Sequence, residues 1–151
     1  MTSTRRELAD QMMKELLLTN WYVLDAVLKV SELLIRNDFV DEGFDYAVRY
    51  EKALSEVSGP DLMPEGEVFR RLSRALGSKG YSHKLIPLLQ DFVERLLRSD
   101  ARADDSVIEF GDLLADLLSK DDRQKEAEEI RQKLKTLYGD RGSDPRYRRR
   151  Y

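Results

Sequence analysis

The chain has few side chains of the types that enzymes use as nucleophiles or general bases. It contains one histidine, His83, and no cysteine. Because no serine, cysteine or aspartate constellation accompanies His83, we interpret it as a polar residue near a helix end. The lack of cysteine excludes disulfides, thiolate catalysis and thiolate-bound zinc. We therefore expect a protein that is not an enzyme.

Pairs of acidic residues recur along the chain, and their positions indicate helix starts. These pairs are Asp104-Asp105, Asp121-Asp122 and Glu128-Glu129. Carboxylates at caps and in first turns complement the helix dipole. The Glu-x-x-His pattern of metal sites in helical bundles is absent, and Gly77–Gly80 is too short for a phosphate-binding loop. We expect no metal and no cofactor.

The C-terminal residues 140–151 are rich in arginine. The arginines that could bind phosphate are Arg146, Arg148, Arg149 and Arg150. Arginine neutralises phosphate, and the neighbouring Tyr147 and Tyr151 could stack on bases. A nucleic-acid-associated adaptor that uses this tail is therefore an alternative function. The tail lacks the apolar residues that offset ordering entropy, so we expect it to be disordered.

The length fits one domain, or a short array of repeats, over residues 1–139, ahead of the tail. Of 151 residues, 36% are charged and 41% are apolar, with a net charge of -3. That balance suits surface-rich helical architectures and argues against a chain that binds nucleic acid throughout. No apolar run approaches the roughly 18 residues of a membrane span, and no targeting signal is evident. We expect a cytoplasmic protein without a membrane partner.

Turn-forming residues are sparse, and the intervals between them have helical periodicity, which predicts an all-α chain of about seven helices. The first runs from a Thr4–Glu7 capping box to about Leu18 and carries an apolar stripe. That stripe consists of Leu8, Met12 and Leu16. Thr19 and Asn20 then cap a second helix, or the first two helices form one bent rod. At its start we expect Trp21 and Tyr22 to pack in the core, and an exposed docking patch is the alternative.

The remaining helices are predicted from turn residues and caps. A connection over Asn37–Glu42 leads to the third helix, and a break over Ser58–Gly66 precedes the fourth, which ends at a left-handed Gly80. The fifth helix is predicted to start near Lys84, with Pro87 in its first turn. The sixth is predicted from a Ser106–Glu109 capping box, and the seventh from capping by Asp121 and Asp122.

Three pairs of helices share one spacing of side chains. A large residue is followed by an apolar one three positions on, a small one four on and an apolar one seven on. The matching residues are Val27, Val30, Ser31 and Leu34; Phe69, Leu72, Ser73 and Leu76; and Leu114, Ala115 and Leu118. This spacing resembles the first helix of a tetratricopeptide repeat. Ala47 and Ala127 resemble the small alanine of the second helix in that family.

The chain also departs from the tetratricopeptide pattern. Leu85 replaces the small alanine in the middle pair, Gly111 replaces a bulky aromatic residue, and Asp122 replaces a turn glycine. Ala47, Leu85 and Ala127 are separated by 38 and 42 residues, whereas the family repeats every 34 or so residues. The first loop is about four residues longer than in the family. An irregular helical bundle is the alternative architecture.

The resemblance implies an adaptor whose first helices line a concave face that binds a peptide or a partner protein. The candidate groove residues are Glu67, Arg70 and Arg74 on one helix and Glu109, Asp112, Asp116 and Lys120 on another. One row is basic and the next acidic, so the groove would select a peptide of mixed charge. The alternative is a solvated helix face. A homodimer is also consistent with so short an array.

Overall fold

The computed structural model describes residues 20–57, 62–77, 79–98 and 104–139. Its helices are α1 (Trp21–Arg36), α2 (Val40–Val57), α3 (Met63–Leu76), α4 (Ser82–Arg98), α5 (Asp104–Lys120) and α6 (Gln124–Tyr138). Within the described ranges the secondary structure is helical without strands, which confirms the all-α prediction. The first predicted helix, with its Thr4–Glu7 capping box, and the tail at 140–151 lie outside the described residues.

Helix α1 begins at Trp21 because Asn20 caps it. Asn20 has an extended backbone, and its Oδ1 accepts hydrogen bonds from the N–H groups of Tyr22, at 2.8 Å, and Val23, at 3.4 Å. The buried stripe of α1 starts only at Leu24. Trp21 and Tyr22 precede it in the first turn and are 53% and 89% exposed. The prediction that these aromatic side chains pack in the core is therefore wrong.

Two connections of three residues follow the same course, Asn37–Phe39 between α1 and α2 and Asp121–Arg123 between α5 and α6. Their middle residues, Asp38 and Asp122, have φ values of 69° and 59°, a left-handed conformation that Asp tolerates better than most residues. The third N–H of each donates at 2.8 Å to a carbonyl five residues earlier, Phe39 to Leu34 and Arg123 to Leu118. Asp122 therefore shapes the turn, and the predicted capping of α6 by Asp121 and Asp122 is wrong, since its N-cap is Arg123.

Helices α2 and α3 begin earlier than their sequence patterns predict. α2 includes Val40 and α3 starts at Met63, so part of each predicted connection is helical. Pro64 then lies in the first turn of α3, where its missing N–H costs little. α3 ends ahead of Gly77, which has a φ of 50°, while Gly80 has the predicted left-handed conformation with a φ of 83°.

Helices α4 and α5 also begin earlier than predicted. α4 starts at Ser82, which makes Pro87 an interior residue beyond the first turn. α5 starts at Asp104, so Ser106 lies inside its first turn and is not its N-cap. The sequence signals mark where an apolar stripe begins, whereas the backbone hydrogen bonds extend each helix by a further half turn or more before that stripe.

The chain divides into an N-terminal unit, Met1–Leu76, and a C-terminal unit, Gly77–Tyr151. In the N-terminal unit each of α1, α2 and α3 packs against the other two, and in the C-terminal unit α5 packs against both α4 and α6. The N-terminal core includes Leu28, Ile35, Ala47, Leu54 and Phe69. In the C-terminal core, the rings of Phe92 and Phe110 meet edge to face with centroids 5.1 Å apart.

The helices recur at a nearly constant step along the chain. The helices α2, α4 and α6 begin at Val40, Ser82 and Gln124, which are 42 residues apart, and α1, α3 and α5 begin at Trp21, Met63 and Asp104. The residues with left-handed backbone, Asp38, Gly80 and Asp122, are also 42 residues apart. With this register Gly43, rather than Ala47, is the counterpart of Leu85 and Ala127. The uneven spacing inferred from sequence came from choosing Ala47.

Small residues let α1 and α2 approach closely. A Cβ atom on Gly43 would lie 2.7 Å from Ile35 Cγ1 and 2.8 Å from the Ser31 carbonyl oxygen. The Ser31 hydroxyl donates a 2.7 Å hydrogen bond to the carbonyl of Gly43. At the equivalent positions of the third pair, Ala115 and Ala127 are fully buried. The backbones therefore leave no room for a larger side chain at Gly43.

We predict that Gly43→Ala lowers the free energy of unfolding by about 1–3 kcal/mol, because the new methyl group meets backbone atoms that cannot move away. The matched control is Gly111→Ala, where the three atoms nearest to the new Cβ belong to the Leu134 side chain, at 3.0–3.4 Å. There the gain in helix propensity offsets the crowding, so the change is within about 1 kcal/mol. Urea denaturation followed by circular dichroism measures both; equal losses would contradict the close approach.

Candidate functional site

The charged side chains predicted on the fourth helix lie on α3. Arg70 and Glu67 form an ion pair one helical turn apart, and both side chains are about a quarter exposed. Arg74, a further turn along, is exposed. The row therefore presents a paired carboxylate and two guanidinium groups on one face of α3.

The corresponding side chains on α5 are less accessible than the sequence suggested. Glu109 and Asp112 are only 5% and 2% exposed, because α5 packs on both sides and every residue from Val107 to Ala115 is buried. Their predicted exposure is wrong. Asp116 is half-buried and forms an ion pair with Arg131 of α6, in which 3.1 Å separates Oδ1 from NH2. Lys120, the last residue of α5, is exposed.

An ionic cluster joins α1 to α3. Arg71 on α3 donates from Nε to Glu32 Oε1 at 2.7 Å and from NH1 to Asp25 Oδ1 at 2.8 Å. Lys29 pairs with the second oxygen of Asp25 at 2.9 Å. The Arg71 side chain is 16% exposed, so this fork is partly shielded from solvent. Four side chains from two helices are thereby held in one arrangement.

Sequence reasoning missed Asp25 and Glu32, although a signal for them exists. They precede Glu67 and Arg74 by the same 42 residues that separate the helices. Asp25, Glu67 and Glu109, which are 42 residues apart, place an acidic residue on each of α1, α3 and α5. The charged row therefore begins on α1, one helix earlier than predicted.

Local electrostatics favour the charged forms of Asp25 and Arg71. Hydrogen bonds from Lys29, the largest cause, and from Arg71 hold the pKa of Asp25 below its ordinary value of 3.8. For Arg71, burial lowers the pKa, but the hydrogen bonds and charges of Glu32 and Asp25 together outweigh it and raise the pKa. Each charged form stabilises the other, so the bridge between α1 and α3 depends on ionic state.

The other chemistry-bearing residues are dispersed. His83 is exposed in the first turn of α4, and the arginines at 146 and 148–150 lie outside the described residues. Within residues 20–57, 62–77, 79–98 and 104–139, no group of three potential ligands converges on a metal site. No helix over the same ranges is long and apolar enough to cross a membrane.

Apolar surface is unevenly distributed between the two units. The exposed large apolar side chains of the N-terminal unit are Trp21, Tyr22, Val30, Leu33, Phe39, Tyr46 and Met63; in the described part of the C-terminal unit, Leu137 is their counterpart. The C-terminal unit instead contains a cavity of about 140 Å³ between α4, α5 and α6. Gly111, Val107 and Leu134 line it. This cavity adjoins Gly111, where a bulky aromatic residue was expected from the family pattern.

Comparison of the chain with known protein families, curated proteins and solved structures gave no significant match. The function proposed for this chain therefore depends on the geometry of its helices and on their charged residues.

We predict that Arg71→Met lowers the free energy of unfolding by about 1–3 kcal/mol, since it leaves Glu32 and Asp25 without their shared donor. The matched control is Arg70→Met, which removes a pair within one helix and costs about 0.5 kcal/mol or less. Urea denaturation at low and high salt measures both. Equal losses in the two variants would contradict a structural role for the bridge.

The lowered pKa of Asp25 predicts how stability changes with pH. Because the folded state favours the carboxylate, its contribution is complete well above pH 3.8 and is lost as the pH falls through the lower pKa of the folded state. Asp25→Asn should therefore be less stable than the natural chain at pH 7, and the difference should shrink in acid. Unfolding curves across this range test it; a constant difference would be contrary evidence.

Proposed function

We propose that this protein is a non-enzymatic protein-binding module in which three tetratricopeptide-like helix pairs stack as antiparallel hairpins. The constant 42-residue step between second helices carries the proposal. An irregular bundle gives no reason for helix starts and left-handed residues to recur at one step. In repeat arrays that step arises because each pair buries its face against the next.

Two details of the first pair support the family resemblance. Its connection is three residues long, so the extra loop length inferred from sequence disappears. Gly43 then occupies the small position of the second helix, twelve residues after Ser31, as Ala127 follows Ala115. The step remains longer than the family's 34 or so residues, and the extra length is distributed over longer helices and links.

The proposed binding surface is the charged row on the first helices. α1 and α3 pack directly against each other, which brings Asp25 and Glu32 into the same unit as Arg70 and Arg74. The ion pair between Arg70 and Glu67 lies within one helix, is partly exposed and contributes little to stability. A partner can therefore exchange this pair for its own charges at small cost. A peptide with both acidic and basic residues matches this row, whereas a uniformly charged one leaves like charges opposed.

In the C-terminal unit, α5 has Asp116 half-buried and Lys120 exposed, whereas Glu109 and Asp112 are buried. We propose that α5, taken by itself, offers Asp116 and Lys120 to a partner. A chain without cysteine also tolerates the reducing cytoplasm, where we propose that the module acts.

An array of synthetic peptides of varied charge pattern tests the proposal. We expect the chain to retain mixed-charge peptides, and Arg74→Glu to weaken their binding about ten-fold by repelling the acidic residues. Fluorescence anisotropy with a retained peptide gives the affinities. The control is Lys52→Glu, which makes the same charge change on the exposed face of a second helix, α2.

Lys52→Glu should leave peptide affinity unchanged. Retention of no peptide, or equal weakening by Arg74→Glu and Lys52→Glu, would overturn the assignment of this row as the binding surface. Circular dichroism of both variants distinguishes a loss of peptide binding in the folded chain from unfolding.

A further inference from the structure

The cavity between α4, α5 and α6 opens to the surface beside two opposite charges. It measures about 140 Å³, and Gly111 forms part of its wall. Apolar side chains from all three helices line it, among them Leu114 and Ile130. Glu94 of α4 and Lys133 of α6 also line it, and both are exposed. This Gly111 cavity therefore combines an apolar interior with a carboxylate and an ammonium group at its edge.

The Gly111 cavity has the size of a phenyl ring. An apolar protein cavity of about 150 Å³ binds benzene. The repeat of the chain agrees with this size, because the residue 42 positions before Gly111 is Phe69, which is only 1% exposed. At this position α3 thus contributes a buried ring that α5 lacks. A phenyl ring is therefore the occupant that the cavity fits.

The chain carries such a ring on its surface. All five of its phenylalanines lie within the described ranges, and Phe39 is the exposed one, at 55%. It ends the short connection between α1 and α2. Other exposed aromatic residues fit the cavity less well. The hydroxyl groups of Tyr22 and Tyr46 would lose their hydrogen bonds to water in an apolar cavity, and the indole of Trp21 is larger than benzene.

The charges on either side of Phe39 complement those at the edge of the cavity. Arg36 lies three residues before Phe39 and Glu42 lies three residues after it, and both are exposed. Opposite charges attract across an interface and like charges oppose it. The complementary arrangement therefore sets Arg36 against Glu94 and Glu42 against Lys133.

We propose that Phe39 of one chain inserts into the Gly111 cavity of a second copy, with the flanking charges paired in this way. Phe39 belongs to the N-terminal unit and the cavity to the C-terminal unit, so the contact joins two different surfaces. Such a heterologous contact adds chains head to tail. One ring covers far less than the roughly 1,200 Å² of a stable interface, so we expect a dissociation constant of about 0.1–1 mM.

Sedimentation equilibrium of the full chain at up to about 1 mM tests the contact. The apparent mass of the natural chain should rise beyond that of a dimer. Phe39→Ala removes the ring and should weaken the association about ten-fold or more. The matched control is Tyr46→Ala, which removes an aromatic side chain that is 41% exposed on α2. It should leave the association unchanged.

A mixture of two variants tests whether the contact is heterologous. Val93→Phe places a ring inside the cavity, whose wall includes Val93, so this variant keeps Phe39 but cannot receive it. Phe39→Ala keeps the cavity but has no ring to insert. Each variant alone should associate weakly or not at all. Their equimolar mixture should form a dimer that does not grow further, because each chain has one functional surface left.

A charge reversal at the cavity edge tests the contact without altering the core. Lys133→Glu changes an exposed side chain and should weaken the association by repelling Glu42 of the second copy. Adding Glu42→Lys to this variant should restore the association. The matched control is Lys135→Glu, because Lys135 is also exposed on α6 but does not line the cavity.

A natural chain that stays monomeric at about 1 mM would overturn the inference. If toluene still shifted the methyl resonances of Leu114 in that chain, the cavity would belong to a different ligand. Equal effects of Phe39→Ala and Tyr46→Ala, or of Lys133→Glu and Lys135→Glu, would also overturn it. So would a mixture that stays monomeric while circular dichroism shows that both variants are folded.

The inference uses the 42-residue register but does not rest on peptide binding by the charged row. Phe39→Ala should therefore bind the retained mixed-charge peptides with unchanged affinity. Failure of the peptide array would leave the contact between copies standing, and failure of the sedimentation test would leave the proposed peptide surface standing.

Discussion

The close approach of paired helices is the constraint on which the rest of the structure depends. Gly43 lies against the backbone of α1 near Ser31, and the Ser31 hydroxyl bonds its carbonyl. A connection of only three residues requires the two helices to run side by side, and small residues at their contact allow it. Once the contact between the two helices is formed, it determines the orientation of their apolar faces and charged side chains relative to each other. The same arrangement of small residues recurs in the third pair at Ala115 and Ala127.

That constraint also explains where charge can be placed. On α5, which packs against α4 and α6, the nine consecutive residues from Val107 to Ala115 are buried. Carboxylates on such a helix, Glu109 and Asp112, are removed from solvent along with the apolar residues. On α1 and α3 the charged side chains remain partly accessible and pair between helices through Arg71. The binding chemistry of the proposed module is thus concentrated where first helices are less enclosed.

Much of the fold was predictable from sequence, because amphipathic stripes such as Leu89, Phe92 and Leu96 identify helices by their period. Helix starts were less predictable: Ser106 and Asp122 are good capping residues, yet one lies within a helix and the other shapes a turn. Backbone conformation decides between these roles, and residue type alone does not. The bridge from Arg71 to Asp25 spans 46 residues, so it depends on tertiary packing that no local pattern encodes.

The left-handed backbone at Asp38, Gly80 and Asp122 has a consequence for recognising this architecture elsewhere. Only Gly, Asn and Asp adopt that conformation readily, whereas β-branched side chains are strained in it. The turns therefore restrict the amino-acid alphabet more severely than the buried stripes, where apolar residues interchange. A search profile anchored on such turn residues at a fixed interval would detect diverged chains of the same design after their core residues had changed beyond recognition.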